Sequence, residues 1–210
     1  MSDKASGAGN QQATLMESSR ESSETIRQTP LTRSEILAYV QGAMHDGSLN
    51  KRRRVRIVQR HKQWLEMIHN LLQTISIRSW IYREGKTRNL YVLETVSPEL
   101  DFKFDPLRLQ TKRERIMYIR GFFDAEGGIP RNGKRFYIQL AQKDYAKMSA
   151  VKKILGGLNI KSGKIHNPSK RVDPDYWRIF VPVKHHHAFA KHIGSWHPVK
   201  SKIFGERMKI

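Results

Sequence analysis

Apolar residues along the chain recur in two rhythms, one helical and one alternating. Over residues 59–77 (QRHKQWLEMIHNLLQTISI) they fall at helical spacing, and over residues 142–160 (QKDYAKMSAVKKILGGLNI) they do so again. The two segments align without a gap, so that Leu71, Leu72, Ile75 and Ile77 fall on Ile154, Leu155, Leu158 and Ile160. Before each comes a period-two alternation, residues 52–58 in the first copy and 135–141 in the second. After each come two more strand candidates: 79–83 and 89–95, then 163–166 and 176–183. Polar turns at 84–88 and 167–175 join them. Ahead of each copy stands an apolar helical stretch, LAYVQGAMHDGS at 37–48 and YIRGFFDAEGG at 118–128. The pattern predicts an internal repeat of the α+β class, αββαββ in each copy, with a terminal helix around residues 186–192 and a basic tail.

Residues 1–30 are rich in Ser, Gln, Thr, Gly and Ala and nearly empty of large apolar residues, which predicts a disordered polar tail. Thr32 with Glu35 three positions on is a capping-box pattern and marks the start of the folded part. The expected organisation is a tail at 1–30, a first repeat at 31–96, a linker at 97–111 and a second repeat at 112–210. The linker, SPELDFKFDPLRLQT, is acidic for this chain and carries two prolines.

Charge sharpens this picture. The formal net charge is +20, and residues 1–30 hold Lys4, Arg20 and Arg27 against Asp3, Glu17, Glu21 and Glu24, leaving about +21 for the rest. Such a field implies a polyanionic partner. No basic amphipathic anchor with a broad apolar face is present, so nucleic acid is expected and a membrane is not. The absence of cysteine excludes disulfides, cysteine nucleophiles and Cys-based zinc sites. The run His185–His187 lacks the spacing of a helical metal site and reads as surface. No apolar run is long enough to span a bilayer and no signal-peptide pattern is present, so an intracellular location is expected: cytoplasm, nucleoid or organelle matrix.

The strand alternation places Arg52, Arg54 and Arg56 on one face, with Val55 and Ile57 on the other. In the second copy Arg135, Tyr137 and Gln139 share a face, opposite Phe136, Ile138 and Leu140. A sheet backed by helices and fronted by Arg, Gln and Tyr suits the major groove, where Arg reads guanine and Gln reads adenine. Arg60, Arg83, Lys86 and Arg88 extend the candidate DNA contacts of the first copy. Arg131, Lys134, Lys164, His166, Lys170 and Arg178 extend those of the second.

Gly121, Asp124, Glu126 and Gly127 close the helical stretch of the second copy, and Asp46-Gly47 closes that of the first. The stretch YIRGFFDAEGG resembles the signature of the LAGLIDADG homing endonucleases, and AYVQGAMHDGS is similar to a second, more divergent copy. The resemblance covers residues 32–205 and implies a pseudo-twofold fold in which two antiparallel sheets form a DNA-binding saddle. The signature helices pack at the centre, and each delivers one acid to a divalent-metal site, Mg²⁺ or Mn²⁺. On this resemblance Asp46 and Glu126 are catalytic, and with Gly47 and Gly127 they make the metal set. Gln59 and Gln142 match a family position that organises active-site water, and Lys200, with Lys202 close behind, matches an active-site lysine. Asp124 reads as a helix-end or interface residue. Copy one is a residue shorter than copy two. Either Gln41 takes the Gly121 place or a residue is missing, and Met44 stands where Asp124 does.

The expected activity is site-specific double-strand cleavage of a partly palindromic DNA target by a monomer with internal pseudo-dimer symmetry. The alternative on the same fold is a binder that does not cleave, acting on intron RNA as a maturase or on DNA as a regulator.

Overall fold

In the computed structural model, residues 30–50, 54–85, 87–130 and 136–208 are described, without the side chain of Asp46. Of the expected DNA contacts, Arg52, Lys86, Arg131, Lys134 and Arg135 lie outside the described residues, as do residues 1–29 of the expected tail at 1–30. One compact unit spans Thr32–Ile210, so the fold begins where the capping pattern indicated.

Helix α1, Arg33–Ala43, runs into a 3-10 turn at Met44–Asp46 and then strand β1, Gly47–Leu49. Strand β2, Val55–Gln59, helix α2, Lys62–Thr74, and strands β3, Ser79–Arg83, and β4, Tyr91–Thr95, complete the first copy. The second copy has helix α3, Lys112–Glu126, strands β5, Gly127–Gly128, and β6, Ile138–Gln142, then helix α4, Tyr145–Gly157, and strand β7, Trp177–Val181. Helices α5, His186–His192, and α6, Pro198–Met208, complete the chain order. The expected basic tail is therefore largely a helix, started by Pro198 and seated by the buried Ile203 and Phe204.

The repeat extends to backbone detail. Helices α2 and α4 have the same length and lie 83 positions apart. Each ends in a left-handed residue at φ 60°, Ser76 and Asn159. Ile77 N–H then bonds Leu72 O, and Ile160 N–H bonds Leu155 O, both at 2.9 Å. Both central helices start with a reciprocal capping box, Thr32 with Glu35 and Thr111 with Glu114, which adds about 1 kcal/mol to each.

The two sheets are antiparallel, in the orders β1-β2-β4-β3 and β5-β6-β7. The expected strand at 163–166 is reduced to a bridge between His166 and Arg178 and a bond from Gly163 N–H to Phe180 O. Helices α2 and α4 back the sheets through Trp64, Leu65, Ile68 and Leu72, and through Met148, Val151 and Leu155, all fully buried. Helices α1 and α3 are buried around most of their circumference, so they are central elements. The linker crosses beside them: Arg33 pairs with Glu99, Gln41 Nε2 donates to Glu99 O, and Lys147 Nζ donates to Phe102 O and Phe104 O. No described helix is long and apolar enough to cross a membrane.

Candidate active site

Helices α1 and α3 meet backbone to backbone. A Cβ on Gly42 would lie 2.2 Å from Tyr118 O, and one on Gly121 would lie 2.0 Å from Tyr39 O. The contact is reciprocal, and it pairs Tyr39 with Tyr118 and Gly42 with Gly121 across the pseudo-twofold. Gly42, rather than Gln41, is thus the counterpart of Gly121.

That pairing sets the register of both helix ends. His45, and not the expected Met44, stands at the Asp124 position, and the missing residue is the mate of Ala125. The structure absorbs that gap by changing helix type. Past the glycine, α3 stays α-helical to Glu126, whereas α1 tightens into the 3-10 turn Met44–Asp46. Five α steps advance about 7.5 Å, and one α step plus three 3-10 steps advance about the same. The two paths differ by only about 40° of rotation. The sheets give an independent check. Gly47 pairs with Ile57 and Gly127 with Leu140, and Ile57 and Leu140 are 83 positions apart, as the later helices are. The backbones of Asp46 and Glu126 therefore occupy equivalent places, each one residue ahead of the first strand.

Crossed hydrogen bonds tie the helix ends together. Tyr39 O–H donates to Asp124 Oδ2 at 2.7 Å, and His45 Nε2 lies 2.7 Å from the Tyr118 hydroxyl. Asp124 is 2% exposed and also accepts from the Ser195 hydroxyl and from Trp196 N–H at 3.0 Å. Trp64 Nε1 in turn donates to the Tyr39 hydroxyl at 2.8 Å. Burial raises the Asp124 pKa, opposed by these bonds and by Lys200. Asp124 is an interface residue, as its place in the motif suggested. His45 is held neutral, its pKa pushed down to about 4 by burial and by Lys147. Gln142 Nε2 donates to His45 Nδ1 at 3.1 Å, which leaves His45 Nε2–H to donate to the Tyr118 hydroxyl. Gln142 Oε1 accepts from Lys143 N–H, so both ends of its amide are engaged.

A cleft of about 490 Å³ opens at the end of α3, lined by Gln59, Arg60, His61, Ala125, Gly127 and Lys200 among others. Lys200 Nζ donates to Phe123 O at 2.6 Å and Asp124 O at 2.8 Å, and so caps the negative end of the helix dipole. Lys202 points elsewhere, 3.9 Å from Glu206 and largely exposed. Glu126 is half-buried. Among the described residues no group of three or more His, Asp or Glu could hold a metal. Hard oxygen donors from one acid per helix end fit Mg²⁺ or Mn²⁺ only as an open shell completed by other oxygen ligands.

The sheet faces divide the expected DNA contacts. On the first sheet Arg54 and Arg56 share the outer face with Trp80 and Tyr82, while Val55 and Ile57 are buried behind. Glu94 sits among them, a residue with no signal of its own in the sequence, and forms ion pairs with both arginines. Arg83 alternates with Tyr82, so it lies on the helix-backed face at the strand end, donating to Arg88 O at 3.3 Å. Arg60 and Arg88 are exposed. On the second sheet Tyr137, Gln139 and Arg178 share the outer face with Phe180, which stacks on His166 at 5.7 Å. Arg178 lies over Tyr176 and Phe180, while Lys164 and Lys170 are exposed. Within the histidine run expected at the surface, His186 is 5% exposed and bonded to Val181 O at 2.8 Å.

Two glycine-contacting helices, each ending at an acid and leading into a sheet, give the arrangement that the resemblance to the LAGLIDADG homing endonucleases implies. Residues 113–194 match the family described as a LAGLIDADG-like domain. The homing endonuclease I-ApeI of Aeropyrum pernix is 25% identical over 194 residues, covering 81% of this chain and 86% of that protein. Among solved structures, I-DmoI in complex with DNA and Mn is similar at TM-score 0.59 and 22% identity, over 77% of this chain and 97% of that one. The N-terminal LAGLIDADG domain of DUF199/WhiA is similar at TM-score 0.61 and 17% identity, over 78% of this chain and 83% of that one.

Proposed function

We propose that the chain is a site-specific double-strand DNA endonuclease that hydrolyses phosphodiesters with a divalent cation. The observation that carries this reading is the equivalence of Asp46 and Glu126 at the ends of two helices in backbone contact. A chain serving only as a binder gains nothing from an acid at each helix end, where phosphates would approach. The similarity to I-ApeI and to the DNA complex of I-DmoI supports it.

In this reading Asp46 and Glu126 hold Mg²⁺ or Mn²⁺, with Gly47 and Gly127 beside them. Held there, a divalent ion would supply charge to the scissile phosphate and a water of lowered pKa. Lys200, anchored on the Phe123 and Asp124 carbonyls, offers its charge to the phosphate across the cleft. Gln59 lines the same cleft and orients water there. Gln142 holds His45, and through it Tyr118, at the other helix end. The two sheets lie along the duplex, one on each half-site, and the chain acts as a monomer.

A pool of randomised duplexes incubated with Mg²⁺ tests this. Recovery of cleaved ends that share one asymmetric sequence, absent with EDTA, is expected. Tight binding of one sequence with no cleaved ends would overturn the nuclease reading and leave a binder.

A further inference from the structure

We infer that Glu94 is a specificity-determining residue: it fixes Arg54 and Arg56 for reading base edges and holds them back from phosphates. This rests on the DNA reading above.

Glu94 lies in β4 between Leu93 and Thr95, and its register opposite Arg56 and Trp80 places it on the outer face of the first sheet. It is nevertheless only 5% exposed, because four side chains converge on it. Tyr82 O–H donates to Oε1 at 2.9 Å, Asn50 Nδ2 to Oε1 at 3.3 Å, and Arg54 Nη1 to Oε2 at 3.3 Å. Arg56 Nε lies 3.3 Å from Oε1, and Glu84 takes Arg56 Nη2 at 3.0 Å. Arg54 is further held by the Trp80 ring, 4.9 Å from its guanidinium. Neither arginine is buried: the Arg54 side chain is 32% exposed and that of Arg56 25%.

A face built only to grip a polyanion would not carry a carboxylate at its centre, because that charge repels phosphates and cancels arginine charge. The arrangement suits direct readout. A guanidinium clamped on one edge presents its other donors as a rigid plane, which matches the paired acceptors of guanine. Among the described residues the second sheet lacks the device. Gln139, the repeat mate of Arg56, faces Phe180, which stands where Glu94 does. Phe180 packs with Tyr137 and His166 instead. The consequence of losing Glu94 is therefore one-sided.

The experiment is a binding selection from randomised duplexes in EDTA with wild type and Glu94→Gln, alongside thermal unfolding and the salt dependence of binding to a fixed random duplex. Glu94→Gln should lose roughly tenfold discrimination over one block of base pairs in one half-site and keep the other half. Its binding to the random duplex should tighten, with a salt slope steeper by about one. Glu94→Asp, which keeps the charge, should restore the wild-type slope, and it carries the test if the Gln variant does not fold. Unchanged discrimination and slope, or equal loss in both halves, would overturn the inference. Enrichment of no sequence by wild type would overturn the DNA-targeting reading itself, a result distinct from either.

Discussion

Gly42 and Gly121 face each other's helix so closely that a methyl group on either would sit well inside van der Waals contact distance of a tyrosine carbonyl, Tyr118 O or Tyr39 O. In an exposed helix, Gly→Ala stabilises by about 1 kcal/mol. Here the sign reverses. Neither obstructing atom is a side chain that can turn away, so the helices must separate, at about 1–3 kcal/mol. Gly121→Ala and Gly42→Ala should each lower the thermal midpoint. Cleavage should fall even below that midpoint, because the acids part with the helices.

Lys200 and Lys202 are two positions apart and do different things. Lys200 bonds the last carbonyls of α3 beside the cleft, and Lys202 pairs with Glu206 in solvent. Lys200→Met should slow cleavage on the order of 10- to 100-fold at nearly unchanged DNA affinity. Lys202→Met should cleave at the wild-type rate. Single-turnover rates at saturating enzyme separate the two effects.

Glu114 closes the capping box at the start of α3 and is largely buried. Burial alone would raise its pKa, but the N–H groups of Thr111 and Gln110 and the Ser34 hydroxyl outweigh that and lower it. A carboxylate with a lowered folded-state pKa contributes stability above its unfolded value of 4.5, and the contribution is lost as pH falls through the folded value. Glu114→Gln should therefore cost about 1 kcal/mol at neutral pH. The difference from wild type should vanish below the folded-state pKa. Denaturant unfolding followed from pH 7 downward measures it.

Much of the fold was legible in the sequence because the repeat is written in apolar spacing. Helices α2 and α4 and their flanking strands fall where that spacing put them, except the strand expected at 163–166, and the left-handed Ser76 and Asn159 sit at matched positions. What stayed hidden depends on three-dimensional context. The motif of copy one is a residue short only if both helix ends keep one helical pitch. A 3-10 turn at Met44–Asp46 is a local response to the Gly42–Gly121 contact and the β1–β2 register. Glu94 was hidden because a lone acid in VLET is unremarkable until β2, β3 and β4 are paired. Helix α6 carried a readable signal, Val199, Ile203 and Phe204 after Pro198, that its lysines masked. Nothing in the run His185–His187 sets His186 apart; its position on α5 buries it.

The central claim is that Asp46 and Glu126 are equivalent despite the missing residue. A supercoiled plasmid carrying the selected target, incubated with Mg²⁺, tests it through Asp46→Asn and Glu126→Gln as single variants. Wild type should yield linear DNA, and each variant should lose cleavage by at least about 100-fold while still binding. An Asp46→Asn protein that linearises the plasmid at the wild-type rate would contradict the account.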